Sequence, residues 1–295
     1  MKAMNINVGI IGAAGYTAGE LIRILINHPI VAEIQCQSNS QHGKPITSIH
    51  SDLFGECNQD FVESIDYQNT DVIFLCKGHG ESAKFIAAES LPENLKIIDL
   101  SHDFRLKKSG NEFVYALPEL NKTLIKDKHK LANPGCFATS IQLGLIPAAK
   151  YNMIEGDIHV SGITGSTGAG QSLSPTSHFS WRNNNVSVYK AFVHQHLHEI
   201  KESLFQVSEG SHYSINFIPY RGDFTRGIIT TSYFTSGKSA VEVANVYKEY
   251  YQNDPFTHVT DHNPDLKQVV NTNKALIYIE KHERQIMVIS MIDNL

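Results

Sequence analysis

Residues 5–27 constrain the fold more than any other stretch. Asn5–Ile11 (NINVGII) is an apolar run of strand length. Ala18–Asn27 (AGELIRILIN) places Leu21, Ile22 and Leu25 at the spacing of one helix face. Between them Gly9, Gly12 and Gly15 recur at every third position. A strand, a glycine turn and a helix, in that order, bring backbone N–H groups to the positive end of a helix. There they can hold the phosphates of a dinucleotide. The spacing is G-x-x-G-x-x-G rather than G-x-G-x-x-G, and a tight turn alone would also use these glycines.

The pattern then repeats. Ala32–Cys36, Asp71–Leu75 (DVIFL) and Lys96–Leu100 (KIIDL) are further apolar strands, and Glu81–Ala88 has a helical pattern. Alternating strands and helices predict a parallel sheet, whose ligands bind beyond the carboxyl ends of its strands. Lys77–Ser82 and Ser101–Arg105 are therefore expected around the same crevice as the glycine turn. Gln37-Ser38-Asn39-Ser40 follow the second strand, with Lys44 nearby. A site for NAD usually carries Asp or Glu there, to bind the ribose 2′-hydroxyl. Hydroxyls, amides and a cation suit a 2′-phosphate instead, so NADP is predicted over NAD; the alternative is a polar surface loop.

Lys130–Ile146 (KLANPGCFATSIQLGLI) carries the candidate chemistry. Pro134 biases Asn133 toward extended backbone, Gly135 permits a bend, and Phe137, Ile141 and Leu145 share a helix face. Cys136 is then in a first helical turn, where unpaired N–H groups and the helix dipole favour a thiolate, the nucleophilic form. A small buried hydrophobe is the other reading of a free cysteine.

Beyond residue 146 the pattern changes. Asp157–Gly162 alternates like a strand and leads into Thr164-Gly165-Ser166-Thr167-Gly168-Ala169-Gly170, which can hold an anion or be a floppy loop. His194, His196 and His198 alternate, without the spacing of a zinc site. His196 and Glu199, three apart in a helical pattern, resemble a base and its orienting carboxylate, the usual companions of a reactive cysteine. Tyr213–Pro219, Gly227–Thr235, Ala275–Glu280 and Ile286–Met291 read as strands, with a helix over Ala240–Tyr251. Consecutive strands predict a mainly antiparallel second sheet. Arg221-Gly222-Asp223 reads as a turn.

At 295 residues the chain is long enough for two domains, and its net charge of −5 gives no basic footprint for nucleic acid. No apolar run approaches the ~20 residues of a membrane span, and four cysteines with no paired spacing suit a reducing compartment. A cytoplasmic protein is expected, with no metal, membrane or nucleic-acid partner.

With these pieces in place the chain resembles the N-acetyl-gamma-glutamyl-phosphate reductase family of arginine biosynthesis. The resemblance runs from Val8 to Leu295 through GIIGAAGYTAGEL (9–21), IIDLSHDFRL (97–106), ALPELN (116–121), ANPGCFAT (132–139), TGSTGAG (164–170), HQHLHEI (194–200), RGIITT (226–231) and SMIDNL (290–295). It implies an α/β fold: a Rossmann-type parallel-sheet NADP-binding domain over 1–135, and an α+β catalytic and dimerisation domain of the semialdehyde dehydrogenase type over 136–284. Residues 285–295 would pack back toward the first domain. It also implies a homodimer or homotetramer.

The resemblance assigns Cys136 as nucleophile, His196 as acid/base and Glu199 as its orienting carboxylate. Arg105, His194, Thr164, Ser166 and Thr167 would engage the substrate. Gly12, Ala14, Gly15, Tyr16, Thr17, Ser38, Gly80, Pro134, Gly168 and Asn294 would hold NADP(H). The implied reaction is NADPH-dependent reduction of N-acetyl-gamma-glutamyl phosphate to the semialdehyde with release of phosphate. Gln195, His198, Phe137 and Gln171 depart from the commoner pattern, which leaves the N-acyl cap, acetyl or succinyl, open. Rival readings are the same chemistry on aspartyl or N-acetyl-aminoadipyl phosphate, an NADP-binding redox sensor switched at Cys136, and a metal module at the three histidines. Family members continue past Asp293-Asn294-Leu295 with a further helix. An unsupported Asn294, an apolar groove on the first domain, weak NADPH binding and slow turnover are therefore expected of the 295-residue form.

Overall fold

The computed structural model describes residues 5–295, which divide at Pro134/Gly135 into two compact units. The first unit runs β1 (Ile6–Ile11), α1 (Tyr16–Leu25), β2 (Val31–Gln37), β3 (Val72–Leu75), α2 (Glu81–Ala88), β4 (Lys96–Asp99), β5 (Val114–Tyr115), α3 (Pro118–Ile125) and β6 (Lys130–Ala132). Its strands form one sheet in the order β2-β1-β3-β4-β6-β5, every pair parallel.

The three glycines of the opening motif do three different jobs. Gly9 lies inside β1, where a Cβ would strike the Ile65 side chain at 2.8 Å. Gly12 makes the turn with φ of +81°, and a Cβ there would meet the Cys76 carbonyl oxygen at 2.9 Å. Gly15 is the N-cap of α1. A fourth, Gly19, lets α1 sit on the buried His50 ring; a Cβ would lie 2.5 Å from His50 Nδ1. The Nε2–H of His50 donates to the Ala13 carbonyl at 2.8 Å, so that ring braces the glycine turn from beneath.

The second unit runs α4 (Cys136–Lys150), β7 (Glu155–Thr164), α5 (Phe179–Arg182), β8 (Ser187–Val188), α6 (His196–Val207), β9 (Ile215–Arg221), β10 (Ile228–Thr235), α7 (Ala240–Tyr251), β11 (Thr257–Val259), β12 (Ala275–His282) and β13 (Gln285–Ile292). The sheet order is β11-β12-β13-β10-β7-β9-β8, with parallel pairs only at β11/β12 and β7/β9. Residues 285–292 form β13, hydrogen-bonded on both sides within the second sheet. Their near-continuous apolar run suits a strand buried on both faces.

Helix α4 is buried along most of its length. Gly144 permits its close approach to β13, with a Cβ position 3.4 Å from Ser290. Pro147 has no N–H, so the Leu143 carbonyl loses its helical donor. The Tyr251 hydroxyl supplies one at 2.6 Å, and the Tyr247 hydroxyl donates to the Gly144 carbonyl at 2.6 Å. One tyrosine of α7 thus replaces the bond that Pro147 removes, and a second braces the next carbonyl of the helix that begins at the cysteine.

Candidate active site

Cys136 is the first residue of α4, behind an extended Gly135 N-cap and with no acidic residue in the first turn. The unpaired N–H groups and dipole of that turn favour negative charge at Sγ. Cys136 is half-buried. By contrast, burial foremost pushes the thiols of Cys36 and Cys76 up to about 12, which leaves them inert. The ring beside Cys136, Phe137, lies flat against β7 because Gly162 has no Cβ; one would sit 2.6 Å from that ring.

His196 opens α6, so Glu199 falls in the same first turn, with Nε2 and Oε1 4.0 Å apart and both side chains buried. The other Glu199 oxygen accepts the Gly135 N–H at 3.1 Å. One carboxylate therefore touches both the histidine and the backbone immediately ahead of the cysteine. Their i, i+3 spacing made this pair legible; the reach to Gly135 was not.

His194 is only 3% exposed, packed edge-on by Phe137, Tyr189 and Phe217 with ring centroids 5.7, 5.7 and 5.5 Å away. Its Nδ1 accepts the His196 N–H at 3.2 Å, which assigns the proton of the neutral ring to Nε2. His194 can thus offer an anion a hydrogen bond but no charge at neutral pH. His198 faces outward, so the three alternating histidines do not converge.

The Thr164–Gly170 stretch is held firmly. Ser166 and Thr167 donate their N–H groups to the Phe224 and Thr225 carbonyls at 2.9 and 3.1 Å. The Thr167 hydroxyl donates to the Thr225 carbonyl at 2.6 Å and accepts from Asn294 Nδ2 at 3.0 Å. Asn294 Oδ1 accepts the Gly227 N–H at 2.6 Å, and Asp293 pairs with Arg226 at 3.0 Å. The expectation that Asn294 sits on an unsupported terminus is therefore corrected. Both ends of its amide are bonded, and Gly168 lies against it, with a Cβ position 3.4 Å from Nδ2.

The remaining expected residues belong to the first unit, except Thr164, which is buried at the end of β7. Gly12, Ala14 and Gly15 form the turn, and Tyr16 and Thr17 begin α1 with exposed side chains. Gly15 brings no side-chain cap and the first turn no acid, a combination that fits a bound phosphate. Ser38 is 5% exposed, whereas Asn39, Ser40 and Lys44 are exposed. Gly80 gives its N–H to Asp103 Oδ1 at 2.7 Å, and Ala83 bonds Oδ2 at 3.0 Å, so Asp103 caps α2 from a distant loop. Burial acts to raise the Asp103 carboxyl; these bonds, with His102, outweigh it and hold it below the ordinary value. Arg105 is buried and donates to the Asn133 and Leu100 carbonyls, both at 2.9 Å, fastening the ends of β6 and β4 together. Pro134 is buried at the unit's end.

Residues 7–128 match the family model "Semialdehyde dehydrogenase, NAD binding domain", and residues 136–294 match "Semialdehyde dehydrogenase, dimerisation domain". An N-acetyl-gamma-glutamyl-phosphate reductase of Bacteroides fragilis is 53% identical over 290 residues, which is 98% of this chain and 90% of that relative. The chain belongs to the N-acetyl-gamma-glutamyl-phosphate reductase family. Its fold is shared with aspartate semialdehyde dehydrogenase II of Vibrio cholerae, with a TM-score of 0.73 at 17% identity over 98% of this chain and 93% of that one. An aspartate semialdehyde dehydrogenase of Candida albicans, solved with NADP, matches with a TM-score of 0.70 at 13% identity, over 97% and 93% of the two chains.

One half-buried neighbour of His194 in this reductase-family chain has no periodic signal in sequence. Tyr189 follows the two-residue β8, and its ring touches His194. Burial foremost, with the nearby Cys136 adding, pushes its hydroxyl up to about 12, so it stays a neutral donor.

His194 sets a pH dependence of stability. Burial first, and Lys190 second, lower its pKa from 6.5 to about 4. Above pH 6.5 neither the folded nor the unfolded chain protonates it. As pH falls from about 6.5 to about 4, only the unfolded chain takes up the proton, so stability is lost across that window. Comparing chemical denaturation at pH 7.5 and 4.5, His194→Gln is expected to lose on the order of 2 kcal/mol less than the parent. Equal losses in both proteins would contradict this.

Proposed function

We propose that the protein reduces N-acetyl-gamma-glutamyl phosphate to N-acetyl-glutamate 5-semialdehyde with NADPH, releasing phosphate, in arginine biosynthesis. The observation that carries the reading is the junction at Gly135-Cys136, where Glu199 accepts the backbone N–H just ahead of the helix-terminal thiol and also faces His196.

The Cys136 thiolate attacks the γ-carbonyl and expels phosphate, leaving a thioester on Sγ. When bound, the reduced nicotinamide cofactor supplies the hydride for that carbonyl. His196 protonates the oxyanion formed on reduction and takes the proton back as the thiohemiacetal collapses, which restores the thiolate. Glu199 orients His196 and holds the start of α4 through Gly135. His194 Nε2–H and the Tyr189 hydroxyl supply neutral hydrogen bonds to the substrate. Gly12–Thr17 hold the pyrophosphate and the loop after β2 holds the 2′-phosphate. A cytoplasmic homo-oligomer, associating through the second unit, completes the reading.

The test is phosphate-dependent reduction of NADP by the purified protein with N-acetyl-glutamate 5-semialdehyde, beside aspartate semialdehyde. Turnover of the first and none of the second is expected; the reverse would favour the aspartyl rival, and no turnover the redox sensor. NADP should be preferred over NAD. Ser40→Asp puts a carboxylate on the exposed end of that loop and should weaken NADP by roughly tenfold or more, sparing NAD. Equal effects on both cofactors would remove the 2′-phosphate assignment.

A further inference from the structure

Beside the cluster around Cys136 stand two arginines that the proposed chemistry leaves without a role. Arg182 ends α5 and is 6% exposed. It is fully occupied: Nε and Nη2 donate to the Thr176 carbonyl, Nη1 to the carbonyls of Asn185 and Arg221, and Nη2 also to the Ser187 hydroxyl. It clamps the backbone of Arg221 at 2.7 Å, and the β8/β9 register sets Ser187 opposite the same residue.

Arg221 is different. It is half-buried at the end of β9, on the strand face it shares with Phe217 by two-residue alternation. Phe217 packs on Phe137 and His194, 5.2 and 5.5 Å between centroids. The Arg221 guanidinium lies over the Tyr189 ring, 4.9 Å from its centroid. Its Nε is buried and donates to nothing. Among the described residues neither arginine forms an ion pair; Asp223, the acid nearest in influence to Arg182, is exposed. A half-buried guanidinium with a donor unused and no counter-charge suits a planar anion.

Resting on the function proposed above, we infer that Arg221 is a specificity-determining residue that binds a carboxylate of the substrate, with Arg182 as the positioning residue that holds it. Arg221 meets the surroundings of Cys136 through Tyr189. That separation suits the far end of a substrate whose carbonyl lies at Sγ, and not the phosphate leaving from that carbonyl. Two carboxylates qualify: the α-carboxylate of the glutamyl unit, or the terminal carboxylate of a dicarboxylic N-acyl cap.

The experiment measures phosphate-dependent NADP reduction with N-acetyl- and N-succinyl-glutamate 5-semialdehyde, using the full chain, Arg221→Gln and Arg221→Lys. In Arg221→Gln, the KM for semialdehyde should rise roughly 10- to 100-fold, with kcat and the KM for phosphate little changed. Lysine should restore part of the loss, because it keeps the charge but not the fork. A rise for both substrates assigns the α-carboxylate; a rise for the N-succinyl compound alone assigns the cap. An unchanged KM for both, or a shift that falls on phosphate, overturns the inference. If the parent protein turns over neither compound, the proposed function fails instead. Calorimetric titration with N-succinylglutamate then decides the inference by itself: binding lost in Arg221→Gln supports it, and equal affinity or none in the parent overturns it.

Discussion

Cys136→Ser is expected to lower turnover by at least about 10⁴-fold while leaving NADPH affinity and thermal stability close to the parent's. Serine fills nearly the same volume and suits the start of a helix, so α4 should begin where it does now. What disappears is the thiolate. A hydroxyl at the same helix N-terminus remains protonated at neutral pH and cannot form the thioester on which the proposed hydride transfer depends. Rapid mixing of the parent with acyl phosphate in the absence of NADPH should release a burst of phosphate equal to the enzyme; the serine variant should release none. Turnover within tenfold of the parent would end the covalent reading.

His196→Gln is expected to cost roughly 10²- to 10⁴-fold in kcat, the usual contribution of a placed acid/base. Glutamine preserves the bulk of a residue buried between His194 and Glu199, and the His194 bond runs to the backbone N–H of residue 196, so the fold should tolerate it. Glu199→Gln separates the two uses of that carboxylate. The amide oxygen can still accept the Gly135 N–H, so the start of α4 should hold, whereas the charge facing His196 is gone. A fall in kcat smaller than that of His196→Gln, with KM for semialdehyde within about threefold, is expected. If His196→Gln changes KM alone, and His194→Gln takes the loss in kcat, the two histidines have exchanged roles.

Much of this protein is written in local pattern. Strand, glycine turn and helix were legible in residues 5–27 because turn geometry and burial periodicity involve neighbours in sequence. The helix over Ala240–Tyr251 was legible for the same reason, with Ser239 and Glu242 forming its capping box. Cys136 at a helix start and the i, i+3 pair His196/Glu199 are also local facts.

What the sequence alone left open depends on residues far apart in the chain. The two-residue strands β5 and β8 are too short to show a period and exist only because β6 and β9 are beside them. Residues 285–292 look alike whether they serve one domain or the other, and only ladder pairing with β10 and β12 places them. Thr164–Gly170 could be a loop of any stiffness until Asn294, 127 residues from Thr167, closes on it. Arg221 read as part of an Arg221-Gly222-Asp223 turn, whereas it ends β9. Its meaning comes from Tyr189 and Arg182, residues in other elements that bring a ring to its face and a clamp to its backbone. Local sequence decides which elements form and where reactive groups fall on them, since those choices are settled within one or two turns of chain. Which charges end up buried together, and which of them lack a counter-charge, is decided by the packing of distant elements.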